Sequence, residues 1–256
     1  MNCLVTGGAG FIGSHICDRL IADGHKVFII DNLLTGNPKN IEGIADKVFF
    51  NIKDIRNISK SSLKGIDVIF HQAARRSVPQ SFIEPKEYYD VNVIGTLNLI
   101  DKAKKAGVKK IIMASSSSVY GDCQIFPQSE LLSTHPISPY ASSKLSMEHI
   151  ATMFNSPEMP LICLRYFNVY GERQPANDDY ASVIPKFIKM LSQGQPPTIY
   201  GDGNQERDFT YVGDVVEANI LAVEGKAGVY NIGNGSPTSG NRLTDILRRI
   251  IRDVEP

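Results

Sequence analysis

The sequence has no excess of either charge. Its 27 Lys and Arg balance 27 Asp and Glu over 256 residues, and no long basic block breaks that balance, which argues against nucleic acid or an anionic membrane as a partner. Cysteine is scarce and scattered. Cys3, Cys17, Cys123 and Cys163 show no paired metal-ligand spacing, so no metal site is expected and the thiols read as buried residues of a reducing compartment. No segment approaches the apolar length of a membrane span, and the strand predicted over Met1–Thr6 occupies the place of a signal peptide. A cytoplasmic protein is therefore expected. Internal repeats and low-complexity tracts are also missing. What remains is ordinary globular material, 42% hydrophobic, long enough for one large domain or for a domain with a smaller appendage.

The opening residues carry the first motif. Val5-Thr6-Gly7-Gly8-Ala9-Gly10-Phe11-Ile12-Gly13 follows an apolar strand and leads into an amphipathic segment with Ile12, Ile16, Leu20 and Ile21 on one side. A dinucleotide pyrophosphate would sit at such a strand-to-helix turn. Gly7 would make the tight turn, Gly10 would let backbone amides approach phosphate, and Gly13 would let the helix pack closely on the sheet. A second strand, Lys26-Val27-Phe28-Ile29-Ile30, ends at Asp31, 18 residues after Gly13. A carboxylate there binds the adenosine ribose 2′-hydroxyl and repels a 2′-phosphate, which favours NAD over NADP.

The second motif is Tyr140-Ala-Ser-Ser-Lys144. Residues four apart share a helical face, so both polar tips can enter one site. A free tyrosine ionises near pH 10 and is a poor base at neutrality. The Lys144 ammonium and the positive nicotinamide ring would both favour phenolate, and a shift of roughly three units would bring Tyr140 near working pH. Ser115-Ser116-Ser117-Ser118 follows the strand Ile111–Ala114, at the carboxyl end where α/β proteins gather ligands. One of these hydroxyls would hold a substrate oxygen beside Tyr140.

Strand-like runs at Asn2–Val5, Val27–Ile30, Val48–Asn51, Val68–His71, Ile111–Ala114 and Leu161–Tyr166 alternate with helical patterns at Phe11–Asp23, Tyr88–Ala106 and Tyr140–Phe154. The alternation predicts an α/β fold of Rossmann type, a doubly wound parallel sheet covered on both faces. After Asn168 the texture turns to Pro, Gly, Asn and Asp, with a loop over Glu172–Tyr180. The expected division is a cofactor domain at 1–168 and a smaller C-terminal substrate lobe at 169–256. Within the lobe the pattern predicts a helix over Ile184–Gln193, a strand over Thr198–Tyr200, and a stretch at 209–223 that packs back on the first domain to bury Val212, Val215, Val216, Ile220 and Leu221.

Further pieces accompany these motifs: Asp31-Asn32-Leu33, Asp54-Ile55-Arg56, His71-Gln72-Ala73-Ala74, Asn92-Val-Ile-Gly-Thr96, Val119-Tyr120-Gly121, Arg165-Tyr-Phe-Asn-Val-Tyr-Gly171 and Gly201-Asp-Gly-Asn-Gln-Glu-Arg-Asp208. With them the chain resembles the extended short-chain dehydrogenase/reductase family, and within it the UDP-hexose 4-epimerases, from residue 1 to about residue 236. The resemblance implies Ser116 as the catalytic hydroxyl, Tyr140 as the base and Lys144 as the lysine that lowers the tyrosine. For NAD it implies Gly7, Gly10, Phe11, Ile12, Gly13, Asp31 and Asn32, with Asp54 and Ile55 flanking adenine. Ala73, Ala74, Arg75, Asn92, Tyr140 and Lys144 would line the rest of the channel. For a UDP-sugar it implies Ser116, Asn168, Val183, Tyr200 and Arg207.

The activity implied is redox-neutral epimerisation at C4 of UDP-glucose/UDP-galactose or their N-acetylhexosamine counterparts, through a 4-keto intermediate. In sugar-nucleotide 4,6-dehydratases an Asp-Glu pair stands where this chain has Ser117 and Ser118, and its absence argues against dehydration and against UDP-glucuronate decarboxylation. The stretches Ser115–Asp122 and Asp179–Pro185 look most like the branch that accepts N-acetylhexosamines. Family members usually continue past the position of Pro256 with the residue that sizes the sugar pocket, so the sugar stays open. A homodimer is implied through the helices at 88–106 and 142–154, with Ile94, Leu97, Leu145 and Met147 as apolar contributors. A non-catalytic NAD-binding protein or fragment, or an enzyme of another nucleotide sugar, are the alternatives.

Overall fold

The computed structural model describes residues 1–176 and 182–254, the side chains of 252–254 excepted. The stretch Asp179–Pro185 and the end of the loop over Glu172–Tyr180 therefore lie partly outside the described residues. Strand β1 (Asn2–Thr6) leads to helix α1 (Phe11–Ala22), β2 (Lys26–Asp31), β3 (Val48–Ile52) and β4 (Val68–His71). Two short helices, α2 (Val78–Ile83) and α3 (Pro85–Tyr89), precede α4 (Thr96–Ala106) and β5 (Lys110–Ser116). Then come α5 (Pro139–Phe154), β6 (Leu161–Tyr166), β7 (Val169–Tyr170), α6 (Val183–Ser192), β8 (Glu206–Asp208) and β9 (Thr210–Tyr211). The chain closes with α7 (Val212–Leu221), β10 (Gly228–Ile232), β11 (Pro237–Ser239) and α8 (Gly240–Val254).

Seven strands form one sheet in the order β10-β6-β5-β4-β1-β2-β3, parallel at every pairing. This is the doubly wound Rossmann arrangement, in which the connections reverse direction beside β1 and open a crevice at the strand ends. Its inner strands are buried on both faces, hence their continuous apolar runs, whereas the edge strands β3 and β10 are partly exposed. Successive side chains point to opposite faces. Cys3, Val5, Ile29 and Ile112 pack with Ile16 and Leu20 of α1 and Val215 and Val216 of α7. Leu4, Ile30, Ile69 and Ile111 pack with Leu99 and Ile100 of α4 and Ile150 of α5. A separate small cluster joins Phe187 of α6 to Leu243 and Leu247 of α8.

Three details differ from the sequence pattern. The helix expected from Tyr88 to Ala106 is interrupted by a wide π turn over Asp90–Gly95, in which the Thr96 hydroxyl donates to the Asn92 carbonyl. Thr198–Tyr200 is not a strand, because Pro196 and Pro197 just before it remove two backbone donors. Leu221, expected in the core, is 66% exposed, since it sits at the last turn of α7 where the helix leaves the sheet. The strand β10 carries no clear pattern in the sequence and still joins the sheet edge beside β6.

A buried histidine braces the centre. The Thr96 hydroxyl has one proton and gives it to Asn92, so it accepts from His71 Nε2 at 2.9 Å. His71 Nδ1 is then left to accept from the Thr6 hydroxyl at 2.7 Å. Burial, aided by Lys144, lowers the His71 pKa from 6.5 to about 3, so the ring is neutral and takes this tautomer. The unfolded chain therefore takes up a proton that the folded chain refuses between those two values, and stability falls as pH drops through that window. His71→Gln should show a shallower acid loss of stability across it than the unsubstituted chain, measured by urea unfolding at a series of pH values.

Candidate active site

The site grows from the strand ends. At the end of β1, Gly7 has φ +70, and a Cβ there would stand 2.7 Å from the Ala73 nitrogen. Its amide donates to Ile30 O at 2.8 Å, which ties the turn to β2. A Cβ on Gly13 would stand 2.2 Å from the Gly7 carbonyl oxygen, so only glycine lets α1 start this close to the turn. Gly10 is the N-cap of α1 and the cap carries no side-chain hydrogen bond, so the first amides of the helix are open to an anion. The Asp31 carboxylate at the end of β2 accepts from the amides of Ala9 at 3.1 Å and Leu33 at 2.8 Å, joining both loops. Burial raises its pKa, against those two hydrogen bonds. Beside it the Asn32 side chain donates to Asp54 at 2.9 Å, and Asp54 is held ionised chiefly by Arg56.

The catalytic candidates come from β5 and α5. Ser138 caps α5 by accepting from Ala141 N at 3.1 Å, with Pro139 in the first turn, a start signal that fixes where the helix begins. Tyr140 and Lys144 then fall one turn apart. Ser116 accepts from the Ser118 amide at 3.2 Å and the Ser118 hydroxyl at 2.9 Å, which leaves its own proton for Tyr140, to which it is hydrogen-bonded. Burial raises the Tyr140 pKa, while Ser116 and then Arg76 pull it back. Lys144 is 3% exposed and donates to Ala114 O at 2.8 Å, with Nζ 6.0 Å from the Tyr140 ring centre. Burial lowers the lysine to about 8.

These groups line one cleft of about 1830 Å³. It brings together Gly7, Gly10, Phe11, Ile12, Gly13, Asp31, Asn32, Asp54, Ile55, Ala73, Ala74, Arg75, Ser116, Tyr140, Lys144, Asn168 and Arg207. Three residues expected at the site stand back from its wall. Asn92 is wholly buried; it accepts from Arg75 N and donates to Arg75 O and Ser143 Oγ, so it holds the wall from behind. Val183 opens α6 and packs on the small lobe cluster. Tyr200 is 77% exposed, because the segment that carries it makes no strand.

Arg75 lines the cleft while its guanidinium is paired with Glu84 at 2.7 Å. The neighbouring Arg76, absent from the expected set, also lines it, and its charge opposes the rise of the Tyr140 pKa. The available signal was the Arg75-Arg76 pair at the end of β4. Ser118 and the segment Asp122–Gln128 also reach the cleft without a pattern that announces them.

The cradle fits a dinucleotide. The glycine turn, the open helix start and the Asp31 carboxylate stand in the order that pyrophosphate and ribose require, and the two missing Cβ atoms leave the room. Overpacking of this kind costs about 1–3 kcal/mol, so Gly13→Ala should lower NAD affinity by about ten-fold or more, measured by titration and by the NAD content of the purified protein.

The model of the NAD dependent epimerase/dehydratase family matches residues 3–233. The chain is 40% identical over 253 residues to a UDP-glucose 4-epimerase of Mycolicibacterium smegmatis, covering 95% of this chain and 80% of that protein. Among solved structures it is similar to a UDP-N-acetylglucosamine 4-epimerase from Methanobrevibacter ruminantium in complex with UDP-N-acetylmuramic acid. There the identity is 43% and the TM-score 0.95, over 98% of this chain and 82% of that one. It is also similar to the UDP-glucose 4-epimerase of Thermotoga maritima with UDP-glucose, at 39% identity and TM-score 0.92, over 100% of this chain and 84% of that one. With NAD as its cofactor, the chain belongs to the NAD dependent epimerase/dehydratase family.

Proposed function

We propose that this chain interconverts the C4 epimers of a UDP-hexose. The observation that carries the reading is the convergence of Ser116, Tyr140 and Lys144 in the cleft, with hydroxyls and not carboxylates at positions 117 and 118. An acid-base pair there would drive elimination; Ser117 and Ser118 lack the required pKa range.

In this reading residues 1–168 hold NAD, through the glycine turn, Asp31, Asn32, Asp54, Ile55 and the wall from Ala73 to Arg75; α7 and β10 return to complete that domain, and the rest of 169–256 builds the sugar lobe. When bound, NAD supplies a reversible acceptor for hydride from the sugar C4, so that the hexose passes through a 4-keto form. Tyr140 takes the proton from the 4-hydroxyl and later returns it. Ser116 orients that hydroxyl and stabilises the phenolate through its donated proton. Lys144, anchored on Ala114 O, and Arg76 supply the positive potential that offsets burial. Asn168 and Arg207 face the cleft from the lobe. Arg207 gives one N–H to Glu206 O at 2.7 Å, and its other donors suit a diphosphate.

The test is incubation with NAD⁺, without reductant, of UDP-N-acetylglucosamine and separately UDP-glucose, with the 4-epimers resolved by proton NMR. Epimer formation without net NADH is expected, and the favoured sugar follows from the rates. Tyr140→Phe should lower turnover by about 10²–10⁴-fold while the NAD content of the protein stays unchanged; equal activity in that variant overturns the mechanism.

The chain is further proposed to act as a homodimer through α4 and α5. Ile94 of the π turn and Met153 of α5 are apolar and 55% and 72% exposed, whereas Met147, expected at the same face, is a core residue at 1%. Light scattering should give twice the 28.2 kDa chain mass; a monomeric mass ends this proposal.

A further inference from the structure

The cleft has one wall with few supports. Residues 122–134 form the middle of the connection from β5 to α5, and Asp122, Gln124, Phe126 and Gln128 of this loop line the cleft. Apolar side chains along it are open to solvent, with Ile125 61% and Phe126 72% exposed, so burial does little to hold it. Among the described residues, the hydrogen bonds that tie this loop to distant parts of the chain both end on Asn231. Its amide donates to Glu130 Oε1 at 2.8 Å and its side chain donates to Gln128 O at 3.0 Å.

Asn231 is itself held from beneath. Ser115, Arg165 and Asn231 are register partners across β5, β6 and β10, and cross-strand partners project from the same face of a sheet. On that face Tyr120 OH donates to Asn231 Oδ1 at 2.7 Å. Arg165 donates to Tyr120 OH at 2.8 Å, and its guanidinium lies 4.7 Å from the Tyr120 ring centre. The same guanidinium forks onto Glu148 at 2.9 and 2.7 Å, and Ser115 also donates to Glu148. Glu148 is one turn beyond Lys144 on α5. An unbroken set of hydrogen bonds thus runs from the helix of the catalytic tyrosine to the loop at the sugar end of the cleft. Tyr120 is 1% exposed and does not reach the cleft.

We propose that Asn231 is a positioning residue that fixes the 122–134 loop as the wall of the sugar subsite, and that Tyr120, braced by Arg165 and Glu148, fixes Asn231. The inference rests on the epimerase reading for its substrate and on the hydrogen bonds alone for its structural content. Rotation of the Asn231 amide is prevented because Tyr120 OH occupies its oxygen, which keeps its N–H on Gln128 O. Removing either group frees the loop while the NAD cradle, on the other side of β5, is untouched.

The test uses Asn231→Ala, Tyr120→Phe and the double variant in the full chain. Each single variant should raise KM for the UDP-sugar about five- to ten-fold, the worth of one or two lost hydrogen bonds, with a smaller fall in kcat and unchanged NAD content. The double variant should be no worse than the more severe single one, as expected for residues acting in one chain. Hydrogen exchange of peptides spanning 122–134 should quicken in both single variants. Additive effects, parallel loss of NAD, or unchanged loop exchange overturn the proposal. A parent chain that epimerises neither sugar overturns the epimerase reading instead, and loop exchange then decides the positioning role by itself.

Discussion

The buried pair Glu148–Arg165 is the interaction on which the working parts converge. Its side chains are 4% and 6% exposed, so both charges have left water at a cost of several kcal/mol each, repaid only by close geometry and full hydrogen bonding. Both conditions are met: the guanidinium forks onto the carboxylate, Ser115 adds a donor, and Tyr120 takes the remaining arm. Because one partner stands on α5 and the other on β6, the helix carrying Tyr140 and Lys144 cannot slide along the sheet without breaking the fork. Removing one member of such a pair costs roughly 3–5 kcal/mol, a large share of a domain's net stability. The pair thus sets the register between Tyr140 on the helix and Ser116 on the strand.

Against this rigid frame the site is electrostatically poised. Burial pushes the phenol of Tyr140 up and the ammonium of Lys144 down, which moves two groups of similar acidity apart and makes the lysine the more acidic. The sequence suggested that Lys144 lowers the tyrosine directly. Lys144 donates to Ala114 O with its Nζ 6.0 Å from the Tyr140 ring centre, and Ser116 and Arg76 oppose the effect of burial on the phenol. Positive potential beside the phenol is therefore distributed over a helix residue and a loop residue, and the Ser118–Ser116–Tyr140 hydrogen bonds add a donor at the phenol oxygen.

Local signals were legible before the fold was seen, and the reason is the same in each case. The turn at Gly7, the α1 start near Phe11, and the spacing of Tyr140 and Lys144 all depend on residues a few positions apart. The continuous apolar strands were equally plain, because a sheet buried on both faces leaves no polar positions. What escaped notice depends on distant neighbours. The π turn at Asp90–Gly95 sits where the Asn92 side chain reaches Arg75 and Ser143. The strand β10 has half-buried residues and takes its place from pairing with β6. Tyr200 and Val183 had been placed at the site by position in a motif, and the course of the chain carries them off the cleft wall.

The sequence by itself determined the sheet class, the nucleotide turn, the acidic residue at the end of β2 and the placing of Tyr140 and Lys144 one turn apart on α5, since short-range sterics and periodicity encode all four. Tertiary structure alone decided which charges face Tyr140, which asparagine supports the wall from behind, and what anchors the 122–134 loop. Tyr120 and Asn231 are 111 positions apart, and only the crossover that sets β10 beside β6 brings them within a hydrogen bond. No local pattern can record such a contact, because its partners are chosen by the order of strands in the sheet.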